Sequence, residues 1–114
     1  MIEGSGPAGL SIGGVIHLPP LLVLYGRETG DRVLPWPVAG LDDATPDSLM
    51  PVLEGGVEIL LIGCGPRMRM VPRPLRDALK AARIAVEAMD TGAACRTYNM
   101  LLLEGRLVAA ALLA

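Results

Sequence analysis

The sequence predicts an α/β fold in which an N-terminal β meander precedes a strand-helix-strand-helix-strand unit. Three observations predict it. The first 40 residues are rich in Gly and Pro and carry only short β-like runs. From Val57 onward, continuous apolar runs alternate with stripes of helical period. The last segment, Arg106 to Leu113, is almost wholly apolar after its first residue, as a strand buried on both faces must be. With 114 residues, 52% of them hydrophobic, the chain suits one domain spanning residues 1–114.

In order, the runs Gly9 to Ile12, Val15 to Leu18, Leu21 to Tyr25 and Arg32 to Leu34 read as the meander. Pro19, Pro20 and Pro35 cannot donate ladder hydrogen bonds, so strands should begin, end or lie at an edge there. Thr45-Pro46-Asp47 supplies an N-cap, a first-turn proline and an acidic residue, predicting a short helix with Leu49, Val52 and Leu53 on its apolar face. Val57 to Ile62 reads as a buried strand ending at Gly63-Cys64-Gly65. Beyond a proline-punctuated loop, Leu75, Ala78, Leu79 and Ala82 mark an amphipathic helix. Ile84 to Ala88 is the next strand. Asp90 or Thr91 can cap a second helix with Ala94, Tyr98, Leu101 and Leu102 on its core stripe, and Gly105 supplies a left-handed stop. Parallel strands joined through helices take right-handed crossovers, which set the helices against the sheet.

Composition narrows the function classes. Ten basic and twelve acidic residues give a net charge of −2, so no global field draws nucleic acid. No Phe, two Tyr and one Trp leave few stacking platforms for bases. Cys64 and Cys95 lack Cys-x-x-Cys spacing and neighbouring histidines, so neither a zinc site nor a disulfide framework is expected. No metal is expected at the lone His17 and no cofactor elsewhere. The N-terminus lacks the basic and apolar regions of a signal peptide, and no apolar run approaches the roughly 20 residues of a spanning helix. A cytoplasmic protein without stable membrane insertion is the expectation.

The chemistry-bearing residues fall into two groups. Cys64 sits between two glycines where a strand leaves the sheet, a common ligand position, but Met68 and Pro66 break the dinucleotide fingerprint. Cys95 lies near a helix N-terminus beside Arg96, where a thiol pKa can fall, or it is a buried structural thiol. Arg96 and Asn99 share a helix face and can jointly hold a carboxylate, a backbone carbonyl or a partner loop; alternatively, Arg96 anchors the meander and Asn99 satisfies buried backbone groups. Glu104 and Arg106 flank the glycine stop as a candidate ion pair. With Thr91, these residues make Cys64, Arg96 and Asn99 ligand-binding candidates; no catalytic residue is assigned. The second group is cationic: Arg67, Arg69, Arg73, Arg76, Lys80 and Arg83 lie within 17 residues, opposed by Asp77 alone. Arg73, Arg76, Lys80 and Arg83 recur at helical spacing, as a solvated face or as a surface for an acidic protein or anionic lipid. Trp36 is either a core plug or an interface anchor.

The segments LLIGCGPRMRMVP and IAVEAMDTGAACRTYNMLLLEGRLVAAALL resemble the Mth-type domain family of small proteins across nearly the whole chain. That family includes the mitochondrial respiratory complex I assembly factor 3 and the adipogenesis-associated Mth-domain protein. Its most specific match is Met89 to Arg106, and Leu34 to Trp36 occupies the place of the family's first-half tryptophan. Two departures stand out: Cys64 where Thr is common, and Arg83 where Gly often precedes the strand. The resemblance implies a three-layer α/β fold with a mixed central sheet and an added N-terminal β element. It also implies no established catalysis, and action with partner proteins in assembly of a membrane-bound NADH dehydrogenase. The expected function is a prokaryotic, non-enzymatic interaction module, an assembly factor for a membrane-associated complex, using either the stripe of Arg73, Arg76, Lys80 and Arg83 or the Arg96 and Asn99 surface. The alternative is a small-molecule-binding protein or enzyme with a pocket near Cys64, Thr91, Arg96 and Asn99.

Overall fold

A computed structural model describes residues 1–114. Its eight strands form two sheets. Strands β1 (Ile2–Gly6), β2 (Gly9–Ile12) and β3 (Val15–His17) make an antiparallel three-stranded sheet. The central sheet contains β4 (Leu21–Gly26), β5 (Gly30–Pro35), β6 (Ile59–Gly63), β7 (Ala85–Met89) and β8 (Val108–Leu112), in the order β5-β4-β8-β6-β7. It is mixed: β4 runs antiparallel to β5 and β8, whereas β6 runs parallel to β7 and β8.

The expected single meander is thus two structures. Its first two strands join β1 in a separate sheet, and its last two extend the central one. The physical reason is burial: β4 is buried over Leu21 to Leu24 and pairs with the wholly buried β8, while Val15 and Ile16 of β3 face solvent. β1 escapes the sequence reading because Ile2 is its one buried residue among exposed Glu, Gly and Ser.

Helix α1 (Met50–Leu53) follows a 3₁₀ turn, Pro46–Leu49, closed by a capping box between Thr45 and Ser48. The expected short helix is this pair. Helix α2 (Arg73–Ala81) packs on one face of the central sheet and α3 (Thr91–Leu103) on the other. Strand alternation divides the core accordingly: Leu60 and Ile62 face the Leu75 and Leu79 side, Leu61 the Ala94, Tyr98 and Leu101 side. Trp36 is a core plug on the α2 side, its Nε1 donating to Ser48 Oγ at 3.0 Å. Asp90 is the cap of α3, and Gly105 closes it at φ 76°. Arg83 occupies a left-handed position at φ 61° where α2 ends. Arg106 does not pair with Glu104; it meets Glu58 at 3.4 Å, because the chain reverses at Gly105 and brings Arg106 beside the start of β6.

Candidate functional site

The parallel strands β6, β7 and β8 end together, and their ends are held by the start of α3. Gly63 permits the approach: a Cβ there would lie 2.9 Å from Leu112 Cδ2 and 3.0 Å from Thr91 Cα. The Thr91 hydroxyl accepts from the Gly65 amide at 2.8 Å and donates to the Leu113 carbonyl at 2.7 Å. One side chain therefore ties the β6 turn to the end of β8. Asp90 Oδ1 accepts from the Ala93 amide at 2.8 Å, satisfying an orphan donor of the first helical turn.

Beside this junction lies a cleft of about 610 Å³ between the small sheet and the central one. Pro66, Thr91, Gly92 and Leu113 line one wall, and Ser5 and Leu18 belong to the opposite one. No charged side chain lines it. It sits at the carboxyl ends of β6 and β8: the crossover from β6 runs through α2 on one face to β7, and the crossover from β7 returns through α3 on the other face to β8 on the far side of β6. Open α/β sheets commonly bind ligands at such a switch point.

Of the four ligand-binding candidates, Thr91 lines this cleft; Cys64, Arg96 and Asn99 do not. Cys64 is buried in the α2-side core, with its thiol near the Ile62 and Arg69 carbonyls. Asn99 is occupied by β1: its Oδ1 accepts from the Ile2 amide at 2.8 Å and its Nδ2 donates to the Ile2 carbonyl at 2.6 Å. Arg96 is exposed, its Nη1 3.4 Å from where a Gly92 Cβ would lie, and it joins no ion pair. Cys95 is buried on the α3 side, where burial pushes its thiol pKa up against weaker opposing pulls from Ser5 and Arg96. The helix end and Arg96 do not make it a ready thiolate.

Tyr98 and Asp31 escaped the sequence reading as a pair. The buried phenol donates to Asp31 Oδ1 at 2.5 Å, across 67 residues of sequence, and burial drives its pKa well above the usual phenol range. Sequence spacing carries no signal for such a contact. The lining glycines, prolines and leucines of the cleft likewise carry no chemical signature.

The cationic group is arranged differently. Arg73, Arg76, Lys80 and Arg83 are all exposed, and the Arg73 side chain is 89% accessible. Arg73 meets Asp77 at 3.8 Å, Arg69 meets Asp42 at 2.9 Å, and Arg76 Nη2 donates to the Val71 carbonyl at 3.0 Å. Lys80 and Arg83 stand outside every ion pair. Met68 and Met70, 59% and 74% exposed, alternate with Arg67 and Arg69 in the loop before α2.

A mixed sheet of five strands, covered by a helix on each face and extended by a small antiparallel sheet, defines an α/β domain of the Mth type. The chain belongs to the family described as protein of unknown function (DUF498/DUF598), whose model matches residues 2–113. An uncharacterised protein of Rhodobacter capsulatus is 38% identical over 98% of this chain and 82% of its own length. The NADH dehydrogenase [ubiquinone] 1 alpha subcomplex assembly factor 3 of Danio rerio is 36% identical over 99% of this chain but 63% of its own length. A Bordetella pertussis protein, described as a Mth938-like domain, superposes with a TM-score of 0.76 at 29% identity, covering 98% of this chain and 84% of that one. No helix is long and apolar enough to cross a membrane.

Proposed function

We propose that the chain is a single-domain, non-enzymatic protein-interaction module that assists assembly of a respiratory NADH dehydrogenase or another membrane-associated complex. The observation that carries this reading is the exposed cationic flank of α2 on a chain that is acidic overall, in a domain related to proteins named as assembly factors. Solvated cations on a helix favour and steer an acidic partner, and Lys80 makes no ion pair within the chain. The same reading makes the protein cytoplasmic in a prokaryote, with protein rather than nucleic-acid partners.

Affinity capture at native level tests it, comparing the unmodified chain with Arg73→Glu/Arg76→Glu/Lys80→Glu. Recovery of respiratory-complex subunits by the unmodified chain alone is the expected result. Equal recovery by both removes α2 as the partner surface.

The cleft favours a second reading, a site for a small, largely uncharged molecule. Leu18 lines it yet is 75% exposed, so Leu18→Gln should leave the fold intact. Under this reading, a compound found by thermal-shift screening loses affinity in Leu18→Gln. An unchanged shift places that compound elsewhere.

A further inference from the structure

We infer that β7 is a strand-addition edge for an acidic, extended segment of a partner protein, with α2 supplying the charge that selects it. This deepens the interaction reading above and rests on it. The hydrogen bonds of β7 run to one side only. The Ala85 amide donates to the Glu58 carbonyl at 3.0 Å, and the Met89 carbonyl accepts from the Cys64 amide at 2.8 Å. In a parallel ladder, alternate residues turn both backbone groups to the same neighbour. Ala85, Glu87 and Met89 therefore bond β6, and Val86 and Ala88 direct their amides and carbonyls outward, where β7 ends the sheet.

Natural sheets blunt such edges with proline, bulges or several charges. β5, the opposite edge, has Asp31, Arg32 and a terminal Pro35. β7 has no proline, pairs in unbroken register and carries one charge, Glu87.

The charge asymmetry selects the occupant. Val86 and Ala88 pack toward the α2-side core, whereas Met89 packs toward the α3 side, which sets Glu87 on the face away from α2. Leu75 and Leu79, the buried residues of α2, define its inward direction. At 100° per residue, Arg76 and Lys80 then fall on one flank of it, and Arg83, beyond the helix end, stands in the turn that leads into β7. With a right-handed crossover from β6, that flank overhangs the open side of β7. Carboxylates near the cations are committed: Asp77 to Arg73 and Asp42 to Arg69. An added strand thus meets cations on its α2 face and Glu87 on the other. The fitting segment is acidic at every second position and neutral or basic between, with main-chain hydrogen bonds giving affinity and alternate side chains giving specificity.

The test uses a short labelled peptide alternating Glu with Thr, its copy N-methylated at every second residue, and vesicles of phosphatidylglycerol. Anisotropy measures affinity, and amide exchange locates the peptide. The alternating peptide should bind, protect the Val86 and Ala88 amides, and weaken at least tenfold in Lys80→Glu/Arg83→Glu. The N-methylated copy and the Ala88→Pro protein should not support binding, with the proline variant's melting temperature checking its fold. Because the N-methylated copy leaves the protein untouched, it decides the matter if Ala88→Pro unfolds. Equal binding of the N-methylated copy, no binding of the alternating peptide, protection elsewhere, or recruitment to vesicles alone would overturn strand addition. If cellular partner capture needs the α2 cations but survives Ala88→Pro in folded protein, strand addition fails while the assembly reading stands.

Discussion

The two long helices cover opposite faces of one sheet, and they divide labour in a way opposite to their chemistry. α3 holds Asp90, Thr91, Thr97, Tyr98 and Asn99 at or along its length, the densest functional vocabulary in the chain. Most of it is spent internally. Asp90 caps, Thr91 ties two strand ends, Asn99 holds Ile2, and Tyr98 reaches Asp31. α2 has a plain repertoire of Arg, Lys, Leu, Ala, one Pro and one Asp, yet its cations are exposed, and Arg76 and Lys80 join no ion pair. Reactive residue types therefore identify a helix with demanding internal bonding. Unspent groups identify a surface.

Substitutions can break this contrast. The largest expected loss is at Thr91→Val, which leaves the part-buried Gly65 amide and Leu113 carbonyl without partners. Urea unfolding should show a loss of about 2–3 kcal/mol. Asn99→Ala frees both backbone groups of Ile2 and should cost about 2 kcal/mol. Amide exchange should then accelerate first in β1 and β2, since β1 is otherwise joined to the small sheet.

Alkaline pH probes the same side of the sheet. Burial raises the folded-state pKa values of Cys95 and Tyr98. The unfolded chain therefore releases these protons first as pH rises. Their contribution is complete below the ordinary thiol and phenol values and should decline above about pH 9. Tyr98→Phe should flatten that alkaline limb while losing the Asp31 hydrogen bond, checked by urea midpoints across pH. The smallest effect is a gain. Arg83→Gly should relieve the left-handed strain at φ 61° and stabilise by about 0.5 kcal/mol, read as a rise in melting temperature.

Legibility followed the same physical line. β2, β4, β6, β8 and both long helices were readable because each buries apolar residues at strand or helix spacing, and β3, β5 and β7 because short β-like runs lie between turn signals. β1 was not, because one buried Ile2 and a distant Asn99 hold a Gly-rich strand. Asn99's capacity to satisfy backbone groups was legible; which backbone it meets was not, since the partner lies 97 residues away. The cationic flank was readable from spacing, but the outward amides of Val86 and Ala88 emerge only from the pairing of β7 with β6.

α3 spends its chemistry on the fold, whereas Lys80 of α2 and Arg83 beyond it stand outside every ion pair. Side-by-side urea unfolding of Asn99→Ala and Lys80→Glu/Arg83→Glu tests this contrast most directly. The expected loss is about 2 kcal/mol for the first, and the second should change stability by no more than about 0.5 kcal/mol. Negligible loss at Asn99 together with marked destabilisation by the charge reversal would contradict it.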